Sequence, residues 1–229
     1  MASLTSAELA DRLALDYRST IVLQSRALAS VRAFKSESDL CAGRDVTRDE
    51  GEAGRAALYL VDYAFPILVG PGPTTPRALV RFDLLAGGNY PYSQPSVAVT
   101  SRPLPWSPHV RPSTGSVCLG EGWARAQGGM LLCLLVRHVM RLFNYDEPQR
   151  DPGYVGWNGA AVQYWRSALG GKPLHADLPY PVMATEVTHG VEDQAAAFQG
   201  VSQEELFRRI DIDFKAIHQP LGASGFRPL

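Results

Sequence analysis

A chain of 229 residues with 45% hydrophobic content can bury a core without covalent staples, and suits one domain with an appendage or two small domains. A formal net charge of −1, with no basic run or basic-aromatic stripe, excludes a general attraction to nucleic acid or an anionic membrane. Three cysteines without framework spacing exclude a disulfide scaffold and fit a reducing, cytoplasmic compartment.

Thr5-Ser6-Ala7-Glu8 reads as a capping box, and Leu9, Leu13, Tyr17 and Ile21 follow at helical spacing. This predicts an amphipathic N-terminal helix to about residue 24. The opening MASLTSAELADRLALDY is acidic and has no basic segment followed by an apolar one, so no signal peptide is expected. SVRAFKS predicts a short strand and CAGRDVTRDEGEAGR a polar loop. AALYLVDYAFPIL is strand-like, and GPGPTTP is a turn with no helical option. In ALVRFDLLA, Val80, Phe82 and Leu84 alternate with Arg81 and Asp83, the pattern of a half-buried strand. PSVAVTS adds another. Short links between these strands favour an antiparallel meander.

PLPWSPHVRPSTGSVCLGEGW is then a long irregular segment, of the kind that is usually functional or disordered. MLLCLLVRHVMRLF is apolar nearly all round and predicts a mostly buried helix, with Arg137, His138 and Arg141 outward. Its apolar run is too short to span a bilayer, and NYDEP breaks it. Asn158 is expected to cap a last helix with Val162, Trp165 and Leu169 on one face and Gly170-Gly171 as its stop. Helix, antiparallel strands, long loop and two helices make an α+β domain over residues 1–170. Residues 171–229 read as a C-terminal extension of unknown role, with a second capping box from Ser202 to Glu205.

No Cys/His cluster has zinc spacing and no glycine loop matches a phosphate cradle. Neither a cofactor nor a metal is therefore expected. Among the thiols, Cys133 falls in the buried helix as a packing residue, and Cys41 lies in the polar loop. Cys118 is different. Gly115, Gly120 and Gly122 flank it and allow close approach by another backbone, and a thiol needs less activation than a serine to act as a nucleophile. His109, on the same loop, suits a base, a hydrogen-bond donor or a loop-fixing residue. Asp146 and Glu147 follow the buried helix in what is otherwise an ordinary solvated turn. His175, His189 and His218 fall in no constellation.

NYPYSQPSVAVTS, SPHV, GSVCLGEGW, an apolar helix and NYDEP, in this order, resemble the ubiquitin-conjugating enzymes. That family has a Tyr-Pro-aromatic-x-x-Pro segment entering a strand, a His-Pro-Asn motif, a Gly-x-x-Cys-Leu turn and an Asn-Pro-Asp-Asp-Pro-like loop. The resemblance covers roughly residues 6–170 and is most specific over 89–148. It implies the family's fold: an N-terminal helix, a four-stranded antiparallel meander, a long active-site loop and C-terminal helices. Cys118 matches the thioester-forming cysteine. Ser107-Pro108-His109 falls at the His-Pro-Asn motif with one extra residue before the cysteine, so that Ser107 replaces a structural histidine and His109 the asparagine held to stabilise an oxyanion or order the loop. Asn144 to Pro148 match the acidic gate loop, which puts Glu147 and Asp146 where an incoming amine would pass.

The activity so implied is transfer of a ubiquitin-like modifier, received as a thioester from an activating enzyme, onto an amine of a target protein. The N-terminal helix would meet the activating enzyme, through exposed groups such as Arg12 and Arg18. The divergence, the arginine-rich composition and the histidine at 109 resemble conjugating enzymes of bacterial ubiquitin-like operons, some of which act in antiphage defence. Two other readings stay open: a non-catalytic module binding a ubiquitin-like protein on the same fold, and a cysteine hydrolase using Cys118 and His109.

Overall fold

The computed structural model describes residues 4–120, 130–146 and 156–183. The architecture is mixed α+β, with an N-terminal helix packed beside a four-stranded antiparallel sheet. Helix α1 (Ser6–Ile21) begins as its sequence predicts: Thr5 Oγ1 accepts from the Glu8 N–H, and the Glu8 carboxylate accepts from the Thr5 N–H at 2.8 Å. It stops three residues early, because the chain enters a two-residue strand, β1 (Leu23–Gln24).

Strands β2 (Leu28–Phe34), β3 (Leu58–Tyr63), β6 (Ala78–Asp83) and β7 (Ser96–Val99) form the meander in that order, and every pairing is antiparallel. Between β3 and β6 the chain inserts a small hairpin of β4 (Ile67–Leu68) and β5 (Thr74–Thr75), so part of the expected GPGPTTP turn is itself paired. The alternation in β6 holds: Val80, Phe82 and, just past the strand, Leu84 are buried, while Arg81 and Asp83 are partly exposed. Strand β3 is apolar on both faces because both are covered. Tyr59, Val61 and Tyr63 join the main core, and Leu58 and Leu60 join Phe34 in a smaller cluster on the other side.

The segment expected as a polar loop after β2 is partly ordered. It holds the short helix α2 (Glu37–Cys41), capped by Ser36, and a 3-10 turn at Glu50–Arg55 that packs beside α1. Local Ser and Asp caps supply these elements, and they carry too few apolar residues to show a period.

Helix α3 (Leu132–Phe143) lies on the inner face of the sheet. Tyr63 of β3 donates to the Val136 carbonyl at 2.8 Å, and its ring meets Phe143 edge-on at 5.7 Å. His138, expected outward, is buried at 4% exposure. The helix is enclosed on more sides than its three polar residues predict, because α1 covers it as well.

Arg12 is also a correction. It is not an exposed group: its side chain is 12% exposed and its Nε lies 2.7 Å from the fully buried Asp16 carboxylate. That carboxylate also accepts from the Tyr90 hydroxyl at 2.6 Å and from the Leu132 N–H at 2.7 Å, while Arg12 donates to the Met130 carbonyl. Asp16 therefore caps α3, which has no side-chain cap of its own, from a different helix. Burial raises the Asp16 carboxyl above its ordinary value; Arg12, Tyr90 and the Leu132 amide pull it back. Arg18 is more exposed and pairs with Glu50.

Helix α4 (Gly159–Ser167) starts at Asn158, whose side chain accepts from the Ala161 N–H, and ends before Gly170 and Gly171, both at positive φ. Beyond the expected boundary at 170, the chain continues in contact with the core as far as 183. Leu174 and His175 bond to Asn144, His175 Nε2 lies 2.6 Å from the Pro66 carbonyl, and β8 (Val182–Met183) pairs with β1. The capping box expected at Ser202 to Glu205 lies outside the described residues.

Candidate active site

Residues 106–120 have no regular element of their own, and a set of backbone and hydroxyl bonds holds them. Val110 and Val117 form an antiparallel bridge. On either side of it, the Arg111 N–H donates to the Ser116 carbonyl at 2.9 Å and the Cys118 N–H donates to the His109 carbonyl at 2.8 Å. This register makes His109 the cross-strand partner of Cys118. Val110, Val117 and His109 are all buried, whereas Cys118 is partly exposed. The two sequence-predicted residues are thus brought together by a two-strand clip.

The clip is fastened to the sheet edge. Val117 N–H donates to the Val97 carbonyl at 2.8 Å, and Val99 N–H to the Gly115 carbonyl at 2.9 Å, so residues 115–117 extend the sheet beyond β7. Val117 and Leu119 are buried at 3% and 2%, while Cys118 between them is a free thiol, partly exposed. Gly115 permits this approach. At φ +78° its place for a Cβ lies 2.8 Å from the Val99 carbonyl oxygen, so any side chain would push the clip off the strand.

The Ser107-Pro108-His109 turn is pinned from three directions. Ser107 Oγ donates to the Leu142 carbonyl at 2.9 Å, near the C-terminus of α3. The Pro108 carbonyl accepts from Trp157 N–H at 2.8 Å, just before α4. The third fastener is the His109 carbonyl to Cys118. Ser107 thus pegs the turn to the end of α3. His109 is itself 4% exposed, with its N–H donating to Ser107 Oγ at 3.3 Å. Above the clip, the exposed Arg111 stacks over Trp157 at 4.6 Å.

The Asn144-Tyr145-Asp146 turn adjoins this frame, since the Tyr145 hydroxyl donates to the Trp106 carbonyl. Asp146 is not an unpaired turn acid. Its Oδ2 accepts from the Tyr180 hydroxyl at 2.6 Å and lies 3.5 Å from Arg141 Nε, which also donates to the Asp146 carbonyl at 3.2 Å. Asn144, buried at 1%, is a hub: its Nδ2 donates to the His175 carbonyl and the Tyr180 hydroxyl, each at 3.0 Å, and its Oδ1 accepts from the His175 N–H. Glu147 and Pro148 lie outside the described residues. The sequence reading missed Tyr180 and the role of His175's backbone; both fall in an irregular proline-rich stretch where no periodicity marks them.

The other thiols differ from Cys118 in the expected ways. Cys133 is buried at 3%, and burial, partly offset by a hydrogen bond with Ser19, pushes its pKa from an ordinary 9.0 to about 12. Cys41 is exposed beside Glu37. Among the described residues no group of three or more His, Cys, Asp or Glu could hold a metal ion, and no helix is long and apolar enough to cross a membrane. The arrangement therefore offers a constrained, partly exposed thiol with a histidine opposite, and a fixed carboxylate on a neighbouring turn. No protein-family model matches the chain, and no curated protein matches its sequence.

Proposed function

We propose that the chain is a ubiquitin-like-protein conjugating enzyme with the ubiquitin-conjugating fold, working in a bacterial conjugation pathway with Cys118 as the thioester carrier. The observation that carries the reading is the setting of that thiol. It is partly exposed between two buried residues, on a clip bonded to the sheet edge. Such a thiol is accessible to two macromolecular partners in turn yet fixed in place, as a carrier requires.

In loading, Cys118 Sγ, as a thiolate, attacks the carbonyl carbon of the modifier's thioester on the activating enzyme. A new C–S bond forms, the old one breaks, and the activating enzyme's cysteine leaves as a thiolate. In discharge, an amine of the target attacks the same carbonyl carbon; the C–N bond forms, the C–S bond breaks and Cys118 leaves as a thiolate. The amine proton passes to a base, for which Asp146 and Glu147 are the candidates. His109, opposite Cys118, is the side chain assigned to the developing oxyanion, a role worth about 10² to 10³ in rate for one donor.

Incubation of the full chain with an activating enzyme, ATP and a modifier tests this. A reductant-sensitive adduct is expected in the wild type, lost in Cys118→Ala and kept in Cys41→Ala and Cys133→Ala. Absence of any adduct would favour the binding module. Cleavage of a modifier precursor without an adduct that accepts amines would favour a Cys118–His109 hydrolase.

A further inference from the structure

The carboxylate of Asp146 is held by a residue that belongs to no part of the motif set, Tyr180, twelve positions beyond the end of the last helix's cap. The phenol hydroxyl sits between two members of the turn, donating to Asp146 Oδ2 at 2.6 Å and accepting from Asn144 Nδ2 at 3.0 Å. The ring lies beneath the Arg137 guanidinium at 5.8 Å. From the helix side, Arg141 reaches the same Oδ2 and the Asp146 carbonyl. Both of these side-chain contacts are to Oδ2, and the Asp146 side chain remains 34% exposed. The stretch that carries Tyr180 is itself tied down at several points. Leu174 and His175 bond to Asn144, Ser25 Oγ donates to the Pro179 carbonyl, and β8 pairs with β1. Leu178 and Tyr180 also pack against the main core.

We propose that Tyr180 is a positioning residue for amine discharge: it fixes the Asp146 carboxylate, and with it the Asn144–Asp146 turn, so that Asp146 receives the incoming amine in one orientation. The stretch 172–183 is on this view a working part of the transfer site. The inference rests on the conjugating-enzyme reading above. A carboxylate fixed by two partners on one oxygen loses little rotational freedom when the second oxygen meets an amine, which is how preorganisation lowers a barrier. Loading does not use this group, because thiol exchange involves no amine. Loss of the phenol hydroxyl should therefore divide the two half-reactions.

The experiment measures single-turnover loading and discharge to free lysine in the full chain for wild type, Tyr180→Phe, Asp146→Asn and the double variant. Expected are loading within about twofold of wild type for all, and discharge slowed about tenfold in Tyr180→Phe, the scale of one hydrogen bond to a charged group. The double variant should be no slower than Asp146→Asn, since the hydroxyl acts through that carboxylate. Discharge unchanged in Tyr180→Phe, equal losses in loading and discharge, or losses that multiply in the double variant would overturn the proposal while leaving Cys118 as carrier. If Tyr180→Phe is found unfolded by its melt, Asp146→Asn carries the test alone, and unchanged discharge there overturns the proposal. A wild type that does not load would instead remove the conjugating-enzyme reading, and this proposal with it.

Discussion

Gly115→Ala should detach the cysteine clip from the sheet, and its cost follows from the geometry. Gly115 has φ +78°, and an added Cβ would stand 2.8 Å from the Val99 carbonyl oxygen and 2.9 Å from Leu104 Cδ2. The leucine terminus can rotate away; the strand carbonyl cannot. The positive φ alone costs an L-residue about 1–2 kcal/mol. Moving off β7 also forfeits the bonds Val99 N–H to Gly115 and Val117 N–H to Val97, at about 1 kcal/mol each. The total is about 3–4 kcal/mol. Gly120 is the control: its φ is +68°, but a Cβ there meets nothing within 4 Å, so Gly120→Ala should cost only about 1–2 kcal/mol. Urea unfolding gives both values, and the rate of Cys118 alkylation, read by peptide mass spectrometry, reports release of the clip. Equal costs for the two variants, or a Gly115→Ala protein with Cys118 reactivity unchanged, would refute the reasoning.

Asp16→Ala leaves Arg12 buried without its carboxylate and α3 without a cap, and should cost about 3–5 kcal/mol in urea unfolding; a loss under about 1 kcal/mol would show that the knot contributes little. Cys133 should resist alkylation in the native protein at pH 8 while Cys41 and Cys118 react, and prompt labelling of all three would contradict its burial. Its folded pKa is raised from 9.0 to about 12, so the folded chain holds the proton longer than the unfolded one. The associated stability is present below about pH 9 and is lost as pH climbs toward 12, on the order of 1 kcal/mol per pH unit. The stability gap between wild type and Cys133→Ala should narrow accordingly above pH 9, and a constant gap would argue against the shift. His109→Ala should load but discharge about 10²-fold more slowly; equal losses in both steps would make it a loop-fixing residue.

Local signals carried the parts of this fold that depend on local physics. The Thr5–Glu8 box, the alternation through Val80, Phe82 and Leu84, and the Asn158 cap each depend on neighbours within four residues or one strand face, and each is visible in sequence order. The misreadings share another cause. Arg12 looked exposed because its helical face is polar, but what decides its burial is Tyr90 and the Leu132 amide, which reach its partner Asp16 from 74 and 116 residues away. His138 looked outward for the same reason. The site divides likewise. Glycine spacing marked Cys118, whereas its pairing with His109 depends on a register that the loop sequence does not specify, and Tyr180 reaches Asp146 across 34 residues of chain.

The fasteners of the Ser107-Pro108-His109 turn also set an order of events for the folding chain. Ser107 reaches Leu142 across 35 residues, and Tyr145 reaches back to Trp106 across 39. Closing loops of that length carries an entropic cost that must be met before the contacts repay it, so such contacts form late. Until α3 has closed onto the sheet, the short clip from His109 to Cys118 can bond to itself and to β7, but Ser107 lacks its anchor on Leu142 and Trp106 its bond from Tyr145. The turn beside Cys118 is thereby fixed in two stages, the local clip first and its tie to the helix last.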